Sequence, residues 1–209
     1  SNNSSSYAMV SYFGKVNYAY DEKYLVSGTL RRDASSRFGN GNNSAIFPSV
    51  SAGWRISREN FMETTSNWLS DLKLRASWGI NGNDMIDNSA TYSLYYVDMN
   101  TGSYNFSGDG KTLSPGVIKT MSGNNNLKWE QTEQFNIGID AAFLDNRLGV
   151  TMDYFKKKTK DMLIQKPYIA AIGEGGYKWY NAASMDNNGV EATITWHDKI
   201  NDFNYEVAF

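Results

Sequence analysis

The sequence has 209 residues, a formal net charge of −2, no cysteine and a single histidine. The near-neutral charge argues against a nucleic-acid-binding protein, which normally carries a basic face, and the lack of cysteine excludes disulfides and thiolate metal sites. No stretch approaches the roughly 18 consecutive apolar residues of a transmembrane helix. A spanning β-strand, however, needs only about 10 residues, half of which can be polar.

Alternation of apolar and polar side chains predicts an all-β protein with eight strands, since residues two apart share one face of a strand. The third strand shows the pattern: Val50 and Trp54 point to one side, and Ser49, Ser51 and Arg55 point to the other. In chain order, the eight predicted strands cover residues 7–20, 24–34, 46–56, 72–79, 130–143, 148–156, 189–197 and a last run that begins at 203.

The links between these strands alternate between short and long. The short links cover residues 21–23, 144–147 and 198–202, and the long ones cover 35–45, 80–129 and 157–188. This alternation places all the long loops at one end of an antiparallel, up-and-down sheet. An outer-membrane β-barrel has this asymmetry, with tight periplasmic turns and long extracellular loops.

Two links are expected to contain structure of their own. The link 57–71 stands where a short turn belongs, and its first residues indicate a capped helical turn. The link 80–129 approaches about 50 residues, a length that is improbable for a structureless loop in a compact domain. We therefore expect additional hairpin strands within it, near 91–97 and 103–107.

The composition of the polar faces favours a barrel over a β-sandwich. A sandwich turns its polar faces to water, so they should be rich in Lys and Glu. Here they carry mostly Ser, Thr, Asn and Gln, which suits a hydrated lumen. Aromatic residues beside the short turns, such as Tyr20, Tyr24, Trp54, Phe143 and Trp196, suit a membrane–water interface. An aromatic sandwich core is the alternative explanation for them.

Several motifs, in order along nearly the whole chain, carry a specific resemblance to one family. They are SYFGKVNY (11–18), LRRDASSRFG (30–39), FPSVSAGWRIS (47–57), LKLRASWG (72–79), LKWEQT (127–132), DYF (153–155), TKDML (159–163) and NNGVE (187–191). The sequence thereby resembles the barrel of SusC/RagA-type TonB-linked outer-membrane transporters of Bacteroidetes.

The resemblance implies a plugged barrel of 22 strands, of which this chain would supply about eight from the middle. It also implies energy coupling from TonB, a SusD-like lipoprotein that hands over the substrate, and an outer face in contact with membrane lipid. Residues 1–209 would form part of one barrel domain, without the plug, the TonB-contacting segment or the closing strand. The chain lacks a start Met and ends within an alternating run at Phe209, so we expect it to be a piece of a longer protein.

No motif indicates catalysis, a cofactor or a metal site. Glu130 and Glu133 are three residues apart, so in a strand they point to opposite faces and cannot flank one glycosidic bond. His197 has no supporting motif, and residues 173–177 lack the Lys-Ser/Thr and the helix of a phosphate-binding loop. The basic run 156–160 is either a solvated charge cluster or a contact with lipid phosphates. We therefore predict a transport protein and not an enzyme.

Aromatic side chains on the lumen face and in the long loops are the candidates for substrate contact, because they can stack on sugar rings or on peptide side chains. They can equally pack loops against one another or against the lipoprotein partner. The candidates are Tyr104, Phe106, Trp129, Tyr177 and Trp179.

The sequence thus predicts a segment of an outer-membrane importer of oligosaccharides or peptides. Two other classes stay open. One is a soluble or surface-attached β-sandwich that binds glycans or acts as an adhesin, which would be monomeric without detergent. The other is a β-rich glycoside hydrolase, which would need a carboxylate pair at hydrolytic separation in a cleft; no spacing here points to one.

Overall fold

A computed structural model, which describes residues 6–39, 41–98, 104–105, 108, 114–167, 176–200 and 202–209, shows one β-sheet that curls into a half-barrel. Its strands are β1 (Met9–Tyr20), β2 (Tyr24–Ser35), β3 (Ser44–Arg55), β4 (Leu69–Asn83), β5 (Leu94–Asp98), β6 (Gly116–Met121), β7 (Glu130–Phe143), β8 (Leu148–Pro167), β9 (Tyr177–Ile200) and β10 (Phe203–Ala208). The strand order is β1-β2-β3-β4-β7-β8-β9-β6-β5, and β10 also pairs with β9.

The eight strands predicted from alternation are β1 to β4 and β7 to β10. Each pairs antiparallel with the next one in that series, which confirms the up-and-down topology. All the strands of the described ranges belong to this one sheet, and no second sheet packs on it. The β-sandwich alternative is therefore not supported.

Part of the structure expected between β4 and β7 is found. β5 overlaps the predicted region 91–97 and pairs antiparallel with β6. The prediction of a second strand near 103–107 falls mostly outside the described residues, which include only Tyr104 and Asn105 of that range. In that stretch Tyr104 forms an isolated bridge with Ser114, and Phe106 lies outside the described residues. Both faces of this ribbon are exposed at Tyr95 and Tyr96, so no alternation of burial marks its strands in the sequence.

β8 and β9 are much longer than alternation predicts, and the expected loop 157–188 is largely strand. β8 continues to Pro167, β9 begins at Tyr177, and Leu163 pairs with Asn181 between them. In this part of the ribbon polar residues occupy both faces of the strand, as at the consecutive and exposed Lys156 and Lys157. The period-2 signal is then lost although the backbone pairing continues.

The link after β3 contains two short 3₁₀ turns, Ile56–Arg58 and Asn60–Thr65, where a capped helical turn was expected. Neither turn has a side-chain cap at its N-cap residue, which is Arg55 in the first and Glu59 in the second. Ser57 lies inside the first turn, and its Oγ donates to the Asp71 carboxylate. Within the described part of the chain, no helix is long and apolar enough to cross a membrane.

The strand register gathers apolar side chains on one face of the sheet, here named the apolar band. One hydrogen-bonded row of this band crosses seven strands through Tyr18, Val26, Ala52, Ala76, Ile137, Tyr154 and Val190. These residues do not form a core, since Tyr18 is 61% exposed and Val190 is 70% exposed. A large uncovered apolar face is expected when the apolar environment is the lipid bilayer.

The apolar band slopes relative to the hydrogen-bonded rows. On β1 it extends through Tyr12 to Val10, six and eight residues before Tyr18, whereas on β9 it ends at Val190, in the same row as Tyr18. At about 3.4 Å per residue and about 4.8 Å between strands, this offset corresponds to a strand tilt of roughly 35–43°. A tilt of that size is what a sheet needs in order to close into a barrel.

Aromatic side chains border the apolar band at the end with the short turns, as predicted. Tyr20, Tyr24 and Trp54 stack in series, with ring centroids 6.4 Å and 6.5 Å apart. The Glu59 carboxylate accepts hydrogen bonds from Tyr24 Oη at 2.6 Å and from Trp54 Nε1 at 3.0 Å, and Lys23 Nζ lies 3.7 Å away. These hydrogen bonds, that of Tyr24 first, hold the pKa of Glu59 below its ordinary value. We name this group the Glu59 clasp.

Candidate functional site: the polar face and the loop core

The face opposite the apolar band is polar and contains a concavity of about 510 Å³. A row of small side chains, Ser27, Ser51, Ser77 and Asn136, is aligned in register across it. Ser27 Oγ and Ser51 Oγ are 2.7 Å apart, and Asn136 Nδ2 donates to Ser77 Oγ at 3.2 Å. Short side chains that bond to one another leave hydrated space above the sheet, as expected of a lumen face.

An ion network lies beside this row on the same face. Arg75 donates to both carboxylate oxygens of Asp140, from Nε at 2.6 Å and from Nη2 at 2.9 Å, and also to Asp153 at 3.1 Å. Gly138 pairs with both Arg75 and Asp153, and a Cβ atom there would collide with the Asp153 carboxylate. One cation and two carboxylates leave one net negative charge, so the network can accept hydrogen bonds from a cationic or hydroxylated ligand.

Loops at the other end of the sheet pack around a buried cluster, here named the loop core. Trp129 is central: its ring centroid lies 5.2 Å from that of Phe38 and 5.5 Å from that of Phe47, and its Nε1 donates to the Asn43 carbonyl at 3.4 Å. The members come from β3 and from the links after β2, β4 and β6, so the cluster ties these loops together. They are Phe38, Phe47, Ile86, Ala90, Leu127 and Trp129.

A polar contact holds the same loops. Arg37 donates from Nε to Asn88 Oδ1 at 2.8 Å and from Nη1 to the Asp84 carbonyl at 3.0 Å, and its guanidinium lies 4.1 Å from the Tyr7 ring centroid. The Asp84 carboxylate accepts from Tyr7 Oη at 2.9 Å and from Ser35 Oγ at 2.7 Å. Burial first, and then the hydrogen bond to Asp84, raise the pKa of Tyr7. The loop between β2 and β3 is thus anchored by two consecutive side chains, Arg37 through its polar contacts and Phe38 through the loop core.

Asparagine amides fix the segment before β7 to the long ribbon of β8 and β9. Asn181 Nδ2 donates to the carbonyls of Lys128 and Asp161, both at 2.8 Å, while its Oδ1 accepts from the Lys128 amide at 3.0 Å. Asn124 Nδ2 donates to the Trp179 carbonyl at 2.8 Å. The loop core is therefore braced against a paired ribbon that continues from the barrel wall.

The structure brings two of the five predicted substrate-contact residues together. Trp129 is 3% exposed inside the loop core, and Trp179 packs at its edge, with Nε1 donating to the Asp87 carboxylate at 3.1 Å. Tyr177, at the start of β9, and Tyr104, beside the β5–β6 ribbon, are exposed. Phe106 lies outside the described residues. Substrate contact by these residues stays a prediction, and for Trp129 it would require the loop core to open.

Sequence reasoning did not single out the ion network. Arg75, Asp140 and Asp153 occupy polar positions of three predicted strands, but their contact depends on the register. The available signal was Gly138, because a glycine inside a strand indicates that neighbouring groups approach closely. Among the described side chains, no group of three His, Cys, Asp or Glu residues could hold a metal ion.

Comparison with known proteins agrees with this architecture. A protein-family profile described as "TonB dependent receptor-like, beta-barrel" matches residues 1–209. The TonB-dependent receptor P3 of Formosa agariphila is 37% identical over 202 residues, covering 96% of this chain and 19% of that protein. The TonB-dependent receptor SusC of Bacteroides thetaiotaomicron is 36% identical over 203 residues, covering 96% of this chain and 20% of that protein.

A solved structure gives the same result in three dimensions. The RagAB peptide transporter matches with a TM-score of 0.79 and 34% sequence identity, covering 97% of this chain and 22% of that one. The chain therefore spans about a fifth of the length of the relatives that it matches.

Proposed function

We propose that this chain, which belongs to the TonB-dependent receptor-like β-barrel family, forms part of the wall of an importer that moves large nutrients across the outer membrane. Family membership makes the chain an outer-membrane protein and not an enzyme. The proposal goes further, to uptake of oligosaccharides or peptides driven through TonB.

The observation that carries the proposal is the two-sided character of the sheet. The apolar band is exposed on one face, whereas the other face holds the row of small polar residues and the Arg75 network. A wall with these two faces separates lipid from an aqueous lumen. Barrels with about 22 such strands have a lumen wide enough to need a plug, which fits the passage of oligomeric substrates.

We infer a SusD-like surface lipoprotein as the partner of this barrel. The support is the similarity to SusC and to the RagAB peptide transporter. TonB would be contacted by parts of the protein outside this chain. Because RagAB is a peptide transporter, peptides deserve the same weight as oligosaccharides in any test of the substrate.

Within this chain, the exposed Tyr177 and Tyr104 and the half-buried Trp179 are the residues we propose for substrate contact. They lie at the loop end, where a substrate would arrive first. Phe106 belongs to the same proposal from its sequence alone. Trp129 would take part only after a rearrangement of the loop core.

The test uses the full-length protein in its own host. A strain lacking the gene and a complemented strain are compared for growth and uptake on single oligosaccharides and peptides. Loss on one class of nutrient, restored by the gene only when TonB is present, supports the proposal and identifies the substrate class. Unchanged uptake across the panel would contradict it. Purification of the tagged barrel in mild detergent tests the partner, which should co-purify as a surface lipoprotein.

A further inference from the structure

Three lysines continue the apolar band beyond its upper end on β8. The register places Lys156, Lys158 and Lys160 on the same face as Tyr154, and all three are exposed. Lys157, between the first two, lies on the lumen face. The basic run of the sequence is therefore divided between two faces, and most of its charge points outward.

The lysine nearest to the apolar band has no counter-charge. Lys156 is aligned with Phe135 on β7 and with Asn188 on β9, both of them uncharged, and it forms no ion pair with a described residue. Directly below it on the same face is the aromatic ring of Tyr154. The Lys156 ammonium group therefore lies, without an ion-pair partner among the described residues, where the apolar band ends and the polar upper part of β8 begins.

The two lysines farther along β8 have acidic neighbours. Lys158 is aligned with Glu133 and Asp186, and Lys160 Nζ lies 3.7 Å from the Glu133 carboxylate. Trp78 Nε1 also donates to Glu133, at 2.9 Å. These carboxylates partly neutralise Lys158 and Lys160. Lys156 is therefore the outward-facing lysine whose positive charge is least compensated.

Arg32 occupies the equivalent position on β2. The apolar band ends at Leu30 on β2 and at Tyr154 on β8, and the next outward residues are Arg32 and Lys156. Because the strands are tilted, these two cations stand at the same height although their hydrogen-bonded rows differ. Arg32 Nη2 lies 3.5 Å from Ser44 Oγ, and within the described residues it has no carboxylate partner.

We propose that Lys156 and Arg32, with Lys158 and Lys160 above Lys156, bind the phosphate groups of glycolipids in the outer leaflet of the outer membrane. Long basic side chains at the edge of an apolar surface lay their stems along it and raise the charge to the level of the headgroups. The occupant is a lipid because these cations continue the lipid-facing band without a step, at the end of the strands that carries the long loops. Each basic residue close to an anionic membrane surface strengthens binding about fivefold.

The test reconstitutes the full-length protein in phosphatidylcholine nanodiscs that contain lipid A, and measures the lipid A retained per barrel after detergent extraction. Arg32→Gln is expected to retain lipid A about fivefold less than the wild type. The triple variant Lys156→Gln, Lys158→Gln, Lys160→Gln should retain it at least roughly tenfold less: Lys156 alone contributes about fivefold, and the acidic neighbours of Lys158 and Lys160 reduce the contribution of those two. Lys157→Gln is the matched control, since it removes the same charge from the same strand on the lumen face, and it should retain lipid A as the wild type does.

Two further arms separate the sources of the phosphate. Dephosphorylated lipid A should be retained poorly by the wild type, and inorganic phosphate alone should not compete at millimolar concentrations. Equal retention by the wild type and the triple variant would overturn the proposal. So would equal retention of dephosphorylated lipid A, or a loss in Lys157→Gln as large as that of the triple variant. Folding of each variant is checked by its heat-modifiable migration on a gel. If the triple variant folds poorly, lipid A retention is compared between the wild type and the single variant Lys156→Gln.

Discussion

The ring of Phe47 occupies the place that a Cβ atom at Gly82 would need. Phe47 projects from β3 into the loop core, and Gly82 lies near the end of the adjacent strand β4. The Arg31 guanidinium lies 5.6 Å from the centroid of the same ring. Because Gly82 has no side chain, the Phe47 ring can lie against the β4 backbone and reach Trp129. The loop core therefore depends on this contact between a ring on β3 and a glycine on β4.

Gly82→Ala should therefore destabilise the protein. The added methyl group would force the Phe47 ring out of its position, and overpacking of this kind costs about 1–3 kcal/mol. The measurement is the free energy of unfolding of the full-length protein in urea and lipid. Gly14→Ala is the control, because nothing lies within 4 Å of the new Cβ atom there; its effect should stay within about 0.5 kcal/mol. Equal effects of the two substitutions would contradict the role given to Gly82.

Trp129→Ala should make the long loops more accessible to protease while the strands of the barrel wall stay folded. Removal of a buried tryptophan costs about 3–5 kcal/mol, which here falls on a cluster built mainly from links between strands. Limited proteolysis of the full-length protein should show faster cleavage in residues 36–43 and 84–93. Phe61→Ala, at a ring that is 66% exposed, is the control and should leave the cleavage pattern unchanged. Protection of these loops in Trp129→Ala would rule out the loop core as their anchor.

Arg75→Gln should cost about 1 kcal/mol, because a partly exposed ion network contributes modestly but its loss leaves two carboxylates facing each other. Asp153→Asn in the same chain should recover part of that loss by removing the repulsion. A double-mutant cycle on the free energy of unfolding measures this coupling, which should shrink in about 1 M salt. Strictly additive effects at low salt would show that Arg75 and Asp153 do not interact.

The Glu59 clasp should make stability depend on pH on the acid side. The pKa of Glu59 is lower in the folded protein, so its contribution is fully present above the pKa of the unfolded chain, about 4.3. That contribution is lost as the pH falls through the lower folded value. Urea unfolding between about pH 3 and 6 should therefore show a smaller acid-side loss for Glu59→Gln than for the wild type. Glu63→Gln, in the same link, should keep the wild-type profile; an unchanged profile for Glu59→Gln would refute the clasp.

The strands of the wall could be predicted because two different environments impose a period of two on the sequence. Val50 and Trp54 alternate with Ser49 and Ser51 for that reason alone. Where this contrast ends, prediction fails: polar residues occupy both faces of the upper parts of β8 and β9, and β6 has no alternating burial to reveal it. The loop core was equally hidden, since Phe38 and Trp129 are far apart in the chain and meet only through the fold. The ion network required the register, which alternation within single strands does not specify.

The slope of the apolar band has a consequence for how the strands find their register. From Val10 to Tyr20 the band on β1 covers about 34 Å of strand, or about 26 Å of membrane thickness after the tilt is included. A slip of two residues in any one pairing keeps every side chain on its correct face and restores most backbone hydrogen bonds. It would, however, shift the band of every later strand by about 5 Å along the membrane normal, which would expose apolar rings on one side and bring Lys156 or Glu59 into the hydrocarbon on the other, depending on the direction of the slip. Hydrophobic mismatch therefore penalises alignments that hydrogen bonding alone would accept, and the membrane itself selects the register of the wall.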